Sequence, residues 1–309
     1  MSFQRSSNYT PSLTLFGLDK ELKNIIQLHK IAKLPKVIML SGEKGIGKFT
    51  LFFHFLANYF DKENYNIKDF KIKKESTFNQ QFLKKIFLNI VYIEGSKFKI
   101  EDVRKLKADI LKTSITNKER FIIFDDIELL NKSSINALLK IIEEPTINNY
   151  FILINNKKKK IIETIHSRTL EFKISLSNQN RIDIIKSLIK RDNLTDVNID
   201  YRNTNITPGN FLNFNDVLIK NKINLDEDYL SNFSLLLNIF KKEKDYNIID
   251  LILYLTEIYF FKALKKKDID FEKIVENKSF VVSNLDKFLL YNINQNSLIN
   301  AINNKFLNE

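Results

Sequence analysis

No cysteine occurs in the 309-residue chain, which excludes disulfides and every metal site built on thiolates. Histidine is nearly as scarce. His29, His54 and His166 lie far apart, and nothing near them has the spacing of metal ligands. No run of 18 or more apolar residues is present, so a membrane-spanning helix is not expected. The opening MSFQRSSNYTPSL lacks the apolar core of a signal peptide, and the expected location is cytoplasmic. Of only six glycines, Gly42, Gly45 and Gly47 fall in one short stretch, and that concentration directs attention to residues 42–50.

What is abundant is lysine. The formal charge is +12, which suits contact with nucleic acid or an acidic partner. The chain is also rich in Asn, Ile and Phe, a bias in which lysine serves as the default solvated residue, so charge alone does not decide between the two. A composition 44% hydrophobic and 28% charged is that of a globular protein, and the length allows two or three domains.

The stretch GEKGIGKFT (42–50) meets the phosphate-loop pattern G-x-x-x-x-G-K-[ST] at Gly42, Gly47 and Lys48 and breaks it at Phe49. The apolar run KVIMLSG (36–42) before it reads as a buried strand. TLFFHFLANYF (50–60) after it reads as a packed helix. Strand, glycine loop and helix are the setting in which backbone amides and a helix N-terminus hold phosphate, with Lys48 reaching the terminal phosphates. Phe49 cannot supply the oxygen that ties magnesium to such a loop. Thr50, the next hydroxyl, points about 100° further round the helix and is not a simple substitute.

LDKELKNIIQLHKIAKL (18–34) has helical spacing and stops before Pro35. VYIEG (91–95), RFIIFDD (120–126) and YFILINN (150–156) read as further strands, and IEDVRKLKADILKT (100–113) and NKSSINALLKIIEE (131–144) as helices between them. That alternation predicts a mostly parallel sheet with helices on its faces. Residues 61–90 are less regular. Beyond about residue 174 only helical periodicity remains, with boundaries near 172 and 232. Asp125 and Asp126 end the third strand, beside the crevice where such sheets take ligands. Asp125 fits a magnesium-holding role. Asp126 either orients the attacking water or is a surface acid at a strand end. Lys157–Lys160 form a basic run that touches a phosphate backbone or lies on a solvated loop.

In this order the motifs resemble the delta-prime subunits of the bacterial DNA polymerase III clamp loader, an AAA+ family, and among them the alphaproteobacterial type. The resemblance runs through LFGLDKELKNI, LPKVIMLSGEKGIGKFTL, IEDVRKL, RFIIFDDIELLNKSSINALLKIIEEP, YFILINN and TIHSRT. NALLKIIEEP and the S-R-T standing for the family's S-R-C are its most specific parts. ITPGNFL (206–212) and YNINQNSLINAINNKF extend it toward the C-terminus.

The resemblance implies an AAA+ P-loop domain over residues 1–172, a helical lid over 173–231 and an all-helical collar over 232–309. The implied partners are gamma/tau and delta subunits in a hetero-pentamer, a sliding clamp and primed DNA, with no membrane. ATP or ADP is the implied occupant of the loop. Arg168, with Ser167 beside it, matches the S-R-C arginine that reaches in trans to ATP held by a neighbouring gamma/tau subunit. Asn155 or Asn156 matches the polar sensor near the γ-phosphate, and Asn210 stands where hydrolysing relatives carry a lid arginine. The family's four-cysteine zinc module is missing, Thr169 replaces the cysteine after Arg168, and Asp126 replaces a glutamate. The expectation is a DNA-replication subunit that lends Arg168 and has little or no ATPase of its own. Two alternatives stay open: a competent AAA+ ATPase of gamma/tau type, and a non-enzymatic basic DNA-binding or scaffold protein.

Overall fold

The computed structural model describes residues 11–111, 118–146, 148–225, 227–265 and 271–307. The chain divides into two compact units, one formed by Met1–Asn193 with Thr204–Asn210, the other by Leu194–Asn203 with Phe211–Glu309. Among the described residues no helix is long and apolar enough to cross a membrane.

The first unit contains, in chain order, α1 (Asp19–Lys30), β1 (Val37–Ser41), α2 (Lys48–Phe60), β2 (Tyr65–Asn66), β3 (Lys71–Ile72), α3 (Thr77–Leu83), β4 (Ile90–Glu94), α4 (Ile100–Leu111), β5 (Arg120–Asp125), α5 (Lys132–Ile142), β6 (Asn149–Asn155), α6 (Glu163–His166), β7 (Leu170–Lys173) and α7 (Asn178–Asp192). Five strands form one sheet in the order β4-β5-β6-β1-β7, and every pairing in it is parallel. β2 and β3 make a separate antiparallel pair.

The sheet strands read as continuous apolar runs because both faces are covered. Along β1, Ile38 and Leu40 join one core with Leu22, Phe52 and Phe55, while Val37 and Met39 join a second with Val103, Leu106 and Leu138. β5 and β6 alternate in the same way, Phe121 and Ile152 to the first core, Ile122 and Phe151 to the second. Each fully buried aliphatic side chain among these contributes about 1.5–3 kcal/mol. His54, fully buried in α2, lies 3.0 Å from the Ser12 carbonyl through Nε2 and 3.1 Å from the Tyr65 hydroxyl through Nδ1. A carbonyl only accepts, so Nε2 carries the proton. Burial pushes this imidazole down to about 4.

Two elements differ from the sequence pattern. Helix α1 ends at Lys30 rather than running to residue 34, because Ala32 turns left-handed (φ 55°) and the amides of Lys33 and Leu34 fold back onto the Leu28 carbonyl. Strand β7 begins within TIHSRTLEF, where the apolar pattern is weak, and ends at Lys173. Among the described residues it is an edge strand paired with β1 alone, and Leu170 is about half exposed, at 48%, so the usual buried-strand signature is missing. Residues 112–113, assigned to a helix by their sequence, lie outside the described residues.

The second unit is helical. It takes in the body of α8 (Pro208–Lys220) and then α9 (Tyr229–Glu243), α10 (Tyr246–Leu264), α11 (Phe271–Tyr291) and α12 (Gln295–Leu307). Asp228 caps α9 through the amides of Leu230 and Ser231, and Asp245 caps α10 through that of Asn247. Its core includes Leu236, Leu237, Leu251, Val281 and Ile302. Tyr229 stacks on Tyr259 at 4.4 Å and shares a 2.8 Å hydrogen bond with Thr256.

Candidate functional site

The glycine stretch leaves β1 at the carboxyl edge of the parallel sheet. Gly42 still pairs with β6, its amide donating to the Asn155 carbonyl at 3.2 Å. Gly45 and Gly47 have φ of 87° and 97°, which L side chains rarely adopt. Gly47 is the N-cap of the 13-residue helix α2 and offers no side-chain cap to its amides, so the helix dipole faces the loop. Lys48, 3% exposed, donates to the carbonyls of Gly42 (2.8 Å) and Glu43 (2.6 Å). Burial lowers its ammonium to about 8, against the pull of Asp125, Glu128 and Asp126. The arrangement of loop, helix N-terminus and lysine fits a phosphate chain.

The start of α8 closes over this loop. The Gly209 amide donates to the Gly45 carbonyl at 2.7 Å and the Thr207 hydroxyl to the Lys44 carbonyl at 2.7 Å. A Cβ on Gly45 would come within 2.4 Å of Thr207 Oγ1 and 2.8 Å of the Asn210 amide. Asn210 therefore sits directly against the loop. The segment is held from behind by Arg181, buried in α7, which donates to the Ile206 carbonyl at 3.1 Å and to Asn178 Oδ1 at 2.6 and 3.2 Å.

Asp125 and Asp126 lie at the same edge, and their oxygens accept from the protein itself. Asp125 Oδ2 accepts from the Tyr92 hydroxyl at 2.5 Å, and its Oδ1 from the Asp126 amide at 3.1 Å and Asn156 Nδ2 at 3.2 Å. Asp126, left-handed at φ 54°, accepts from Asn156 Nδ2 at 2.8 Å and faces the Lys158 ammonium at 3.5 Å. Of the two candidate asparagines, Asn156 spans the acids. Asn155 is buried at the end of β6 and accepts from the Lys157 amide at 2.9 Å.

Tyr92 and Glu128 belong to this cluster and were not singled out by motif, and Lys158 comes from the basic run 157–160. Glu128, 5% exposed, accepts from the amides of Asn156 (3.1 Å) and Lys158 (3.3 Å) and so shapes the turn after β6. Burial, and next the Asp126 charge, hold its carboxyl above the usual range. An acid two residues beyond the D-D pair, facing a lysine run, was the available sequence signal.

Phe49 is 7% exposed and packs against Phe53, Phe82 and Tyr92 with ring centroids 6.3, 6.1 and 5.4 Å away. Its position in the helix is an apolar anchor. Thr50 is buried in the same first turn. The donor set does not fit a magnesium ion: residue 49 brings no oxygen, and the Asp125 oxygens are engaged by three protein donors. Among the described residues, no group of three or more His, Cys, Asp or Glu side chains is arranged to hold a metal.

Arg168 lies at the opposite edge. It precedes β7 by two residues, and Leu170 pairs with Ile38, four residues before Gly42, a separation of roughly 13 Å along the strand direction at about 3.3 Å per residue. Its Nε and Nη2 reach Glu143 Oε1 at 2.8 and 2.7 Å, and Nη1 reaches the Thr164 carbonyl at 3.1 Å and Ser167 Oγ at 3.2 Å. The side chain is 36% exposed. Thr169 Oγ1 is buried and has no hydrogen-bond partner among the described residues.

The family described as DNA polymerase III, delta subunit, matches residues 17–178. The chain is 30% identical over 220 residues to DNA polymerase III subunit gamma of Buchnera aphidicola subsp. Schizaphis graminum, covering 68% of this chain and 60% of that protein. It is 26% identical over 186 residues to subunit delta' of the same strain, covering 58% of this chain and 55% of that one. It therefore spans little more than half the length of these relatives. A solved gamma-subunit-related protein from Thermotoga maritima aligns over 92% of this chain and 96% of its own at 16% identity, with a TM-score of 0.46. More than half of the sequence lies inside the family match, and the chain belongs to the clamp-loader subunits of DNA polymerase III, within the AAA+ superfamily.

Proposed function

We propose that the chain serves as a delta-prime-type subunit of a clamp loader, lending Arg168 to a neighbouring subunit's nucleotide and hydrolysing little or none itself. The observation that carries this reading is the separation of the two candidate centres. Arg168 is an exposed guanidinium at the amino edge of the sheet, while the phosphate loop is at the carboxyl edge. A cation so placed serves a second molecule better than its own loop. Glu143, Thr164 and Ser167 orient the guanidinium, which would meet charge developing on a transferred phosphoryl group in trans.

The loop's own features support the second half. Phe49 is committed to packing, Asp126 replaces the longer acid, and Asn210 brings an uncharged amide beside Gly45. Each removes a contribution that hydrolysis needs. ATP or ADP at this loop would be held by the amides of residues 45–48 and by Lys48. The proposed partners are gamma/tau and delta subunits, with a sliding clamp and primed DNA as the assembly's substrates. Residues 1–172, 173–231 and 232–309 would act as AAA+ domain, lid and collar.

A second reading, a hydrolysing gamma/tau-type subunit, draws on the wider coverage of the gamma relative and on the intact Lys48. ATPase assays on the purified chain, with and without clamp and primed DNA, separate the two. The delta-prime reading expects background hydrolysis alone and co-elution with cognate gamma/tau and delta subunits. Clamp- and DNA-stimulated turnover by the isolated chain would refute it.

A further inference from the structure

Resting on the nucleotide-seat reading above, we propose that this loop takes a nucleoside diphosphate or triphosphate without a divalent metal, the Lys158 ammonium standing where the metal's charge would be. Magnesium at a phosphate loop normally neutralises phosphate charge and is itself held by a hydroxyl and a carboxylate. Here the hydroxyl position is an aromatic anchor, and Asp125 is engaged by Tyr92, Asn156 and the Asp126 amide. The charge is supplied from the chain. Lys158 Nζ lies 3.5 Å from Asp126 Oδ1 with its side chain 29% exposed, and an ammonium has three N–H donors, so one acceptor at that distance does not use up its donor capacity.

The turn that presents Lys158 is held by the chain's own contacts. Lys157 is left-handed at φ 58°, reversing the chain straight after β6. Asn155 Oδ1 accepts from the Lys157 amide, and buried Glu128 accepts from the amides on either side of it. The same turn aims Asn156 at both acids. Lys157 is also close enough for its charge to act on Lys48, so three lysines and three acids share one edge of the sheet. Asp126 is paired with the Lys158 ammonium, and in the proposed complex a phosphate chain would be met by both Lys48 and Lys158. A lone surface lysine run would have neither the buried carboxylate under it nor the reversed backbone.

The test is ADP binding by the full chain, measured by calorimetry in excess EDTA and again in magnesium. The affinity is expected to agree within about twofold between the two conditions, a difference of less than about 0.5 kcal/mol. Lys158→Ala is expected to weaken ADP binding roughly tenfold in EDTA, the loss of one charge-assisted contact, while Lys158→Arg binds as the parent does. Circular dichroism confirms that both variants fold. An affinity that rises about tenfold or more on adding magnesium overturns the proposal. So does a Lys158→Ala protein that binds like the parent. Absence of ADP binding under both conditions overturns it as well, and leaves the role of Arg168 to stand or fall in the reconstituted assembly.

Discussion

Phe49→Thr restores the hydroxyl that the phosphate-loop pattern asks for, and the structure indicates that it damages the protein instead of awakening it. A phenylalanine side chain carries on the order of 200 Å². Burying more than nine tenths of it, as here, is worth about 4–5 kcal/mol at 25 cal/mol per Å². Threonine recovers roughly a third of that, so about 3 kcal/mol is lost before cavity effects, close to the range of large-to-small core substitutions. Loss of the edge-on contact with Tyr92 at 5.4 Å adds about 0.5–1.5 kcal/mol. Tyr92 also holds Asp125, so the variant loosens the acid that the new hydroxyl would need as a partner. Native-state hydrogen exchange reads the unit concerned without assuming that the whole chain unfolds in one step. Protection of the slowest β1 and α2 amides should fall by about two to three orders of magnitude, with no gain in ATPase. A loss below about 1 kcal/mol, or new magnesium-dependent turnover, would refute the reasoning.

Other perturbations follow from the same geometry. Gly45→Ala forces a Cβ into Thr207 Oγ1 at φ 87° and should cost at least about 1–2 kcal/mol, measured as a lower thermal midpoint together with weaker ADP binding. Thr207→Val removes the hydroxyl that donates to Lys44, about 1 kcal/mol, and should speed exchange of the Gly209 amide without changing the midpoint much. His54 is neutral in the fold and held to about 4. The unfolded chain takes up a proton near pH 6.5, so stability is full above that pH and is lost as pH falls through 4, by up to about 3 kcal/mol. Urea titrations across that window should show the loss, and a shallower pH dependence is expected in His54→Gln.

The sheet was legible because β1, β5 and β6 are buried on both faces and carry unbroken apolar runs between helices of clear periodicity. β7 was not, since an edge strand with Leu170 exposed and Glu171 at its centre has no such run. The turn between β1 and α2 was readable at Gly42, Gly47 and Lys48 because backbone conformation and charge restrict those positions to few residue types. The meaning of Phe49 was only half visible. Its sequence position shows the missing oxygen, but its role as an anchor depends on Phe82 and Tyr92, more than thirty residues away. The Lys157–Lys160 run looked like any solvated loop. What distinguishes Lys158 is the left-handed Lys157 and the buried Glu128, and tertiary contacts of that kind leave no local pattern.

In the proposed function the chain acts through Arg168 on a neighbour's nucleotide and not through its own loop. This role is tested most directly by single-turnover ATP hydrolysis in a clamp loader reconstituted with cognate gamma/tau and delta subunits, clamp and primed DNA. At the interface abutting this chain, Arg168→Ala is expected to slow hydrolysis roughly a thousandfold with assembly intact, and Lys48→Ala to leave it within about twofold. Parent-like hydrolysis by the Arg168→Ala assembly, or an equal loss with Lys48→Ala, would contradict it.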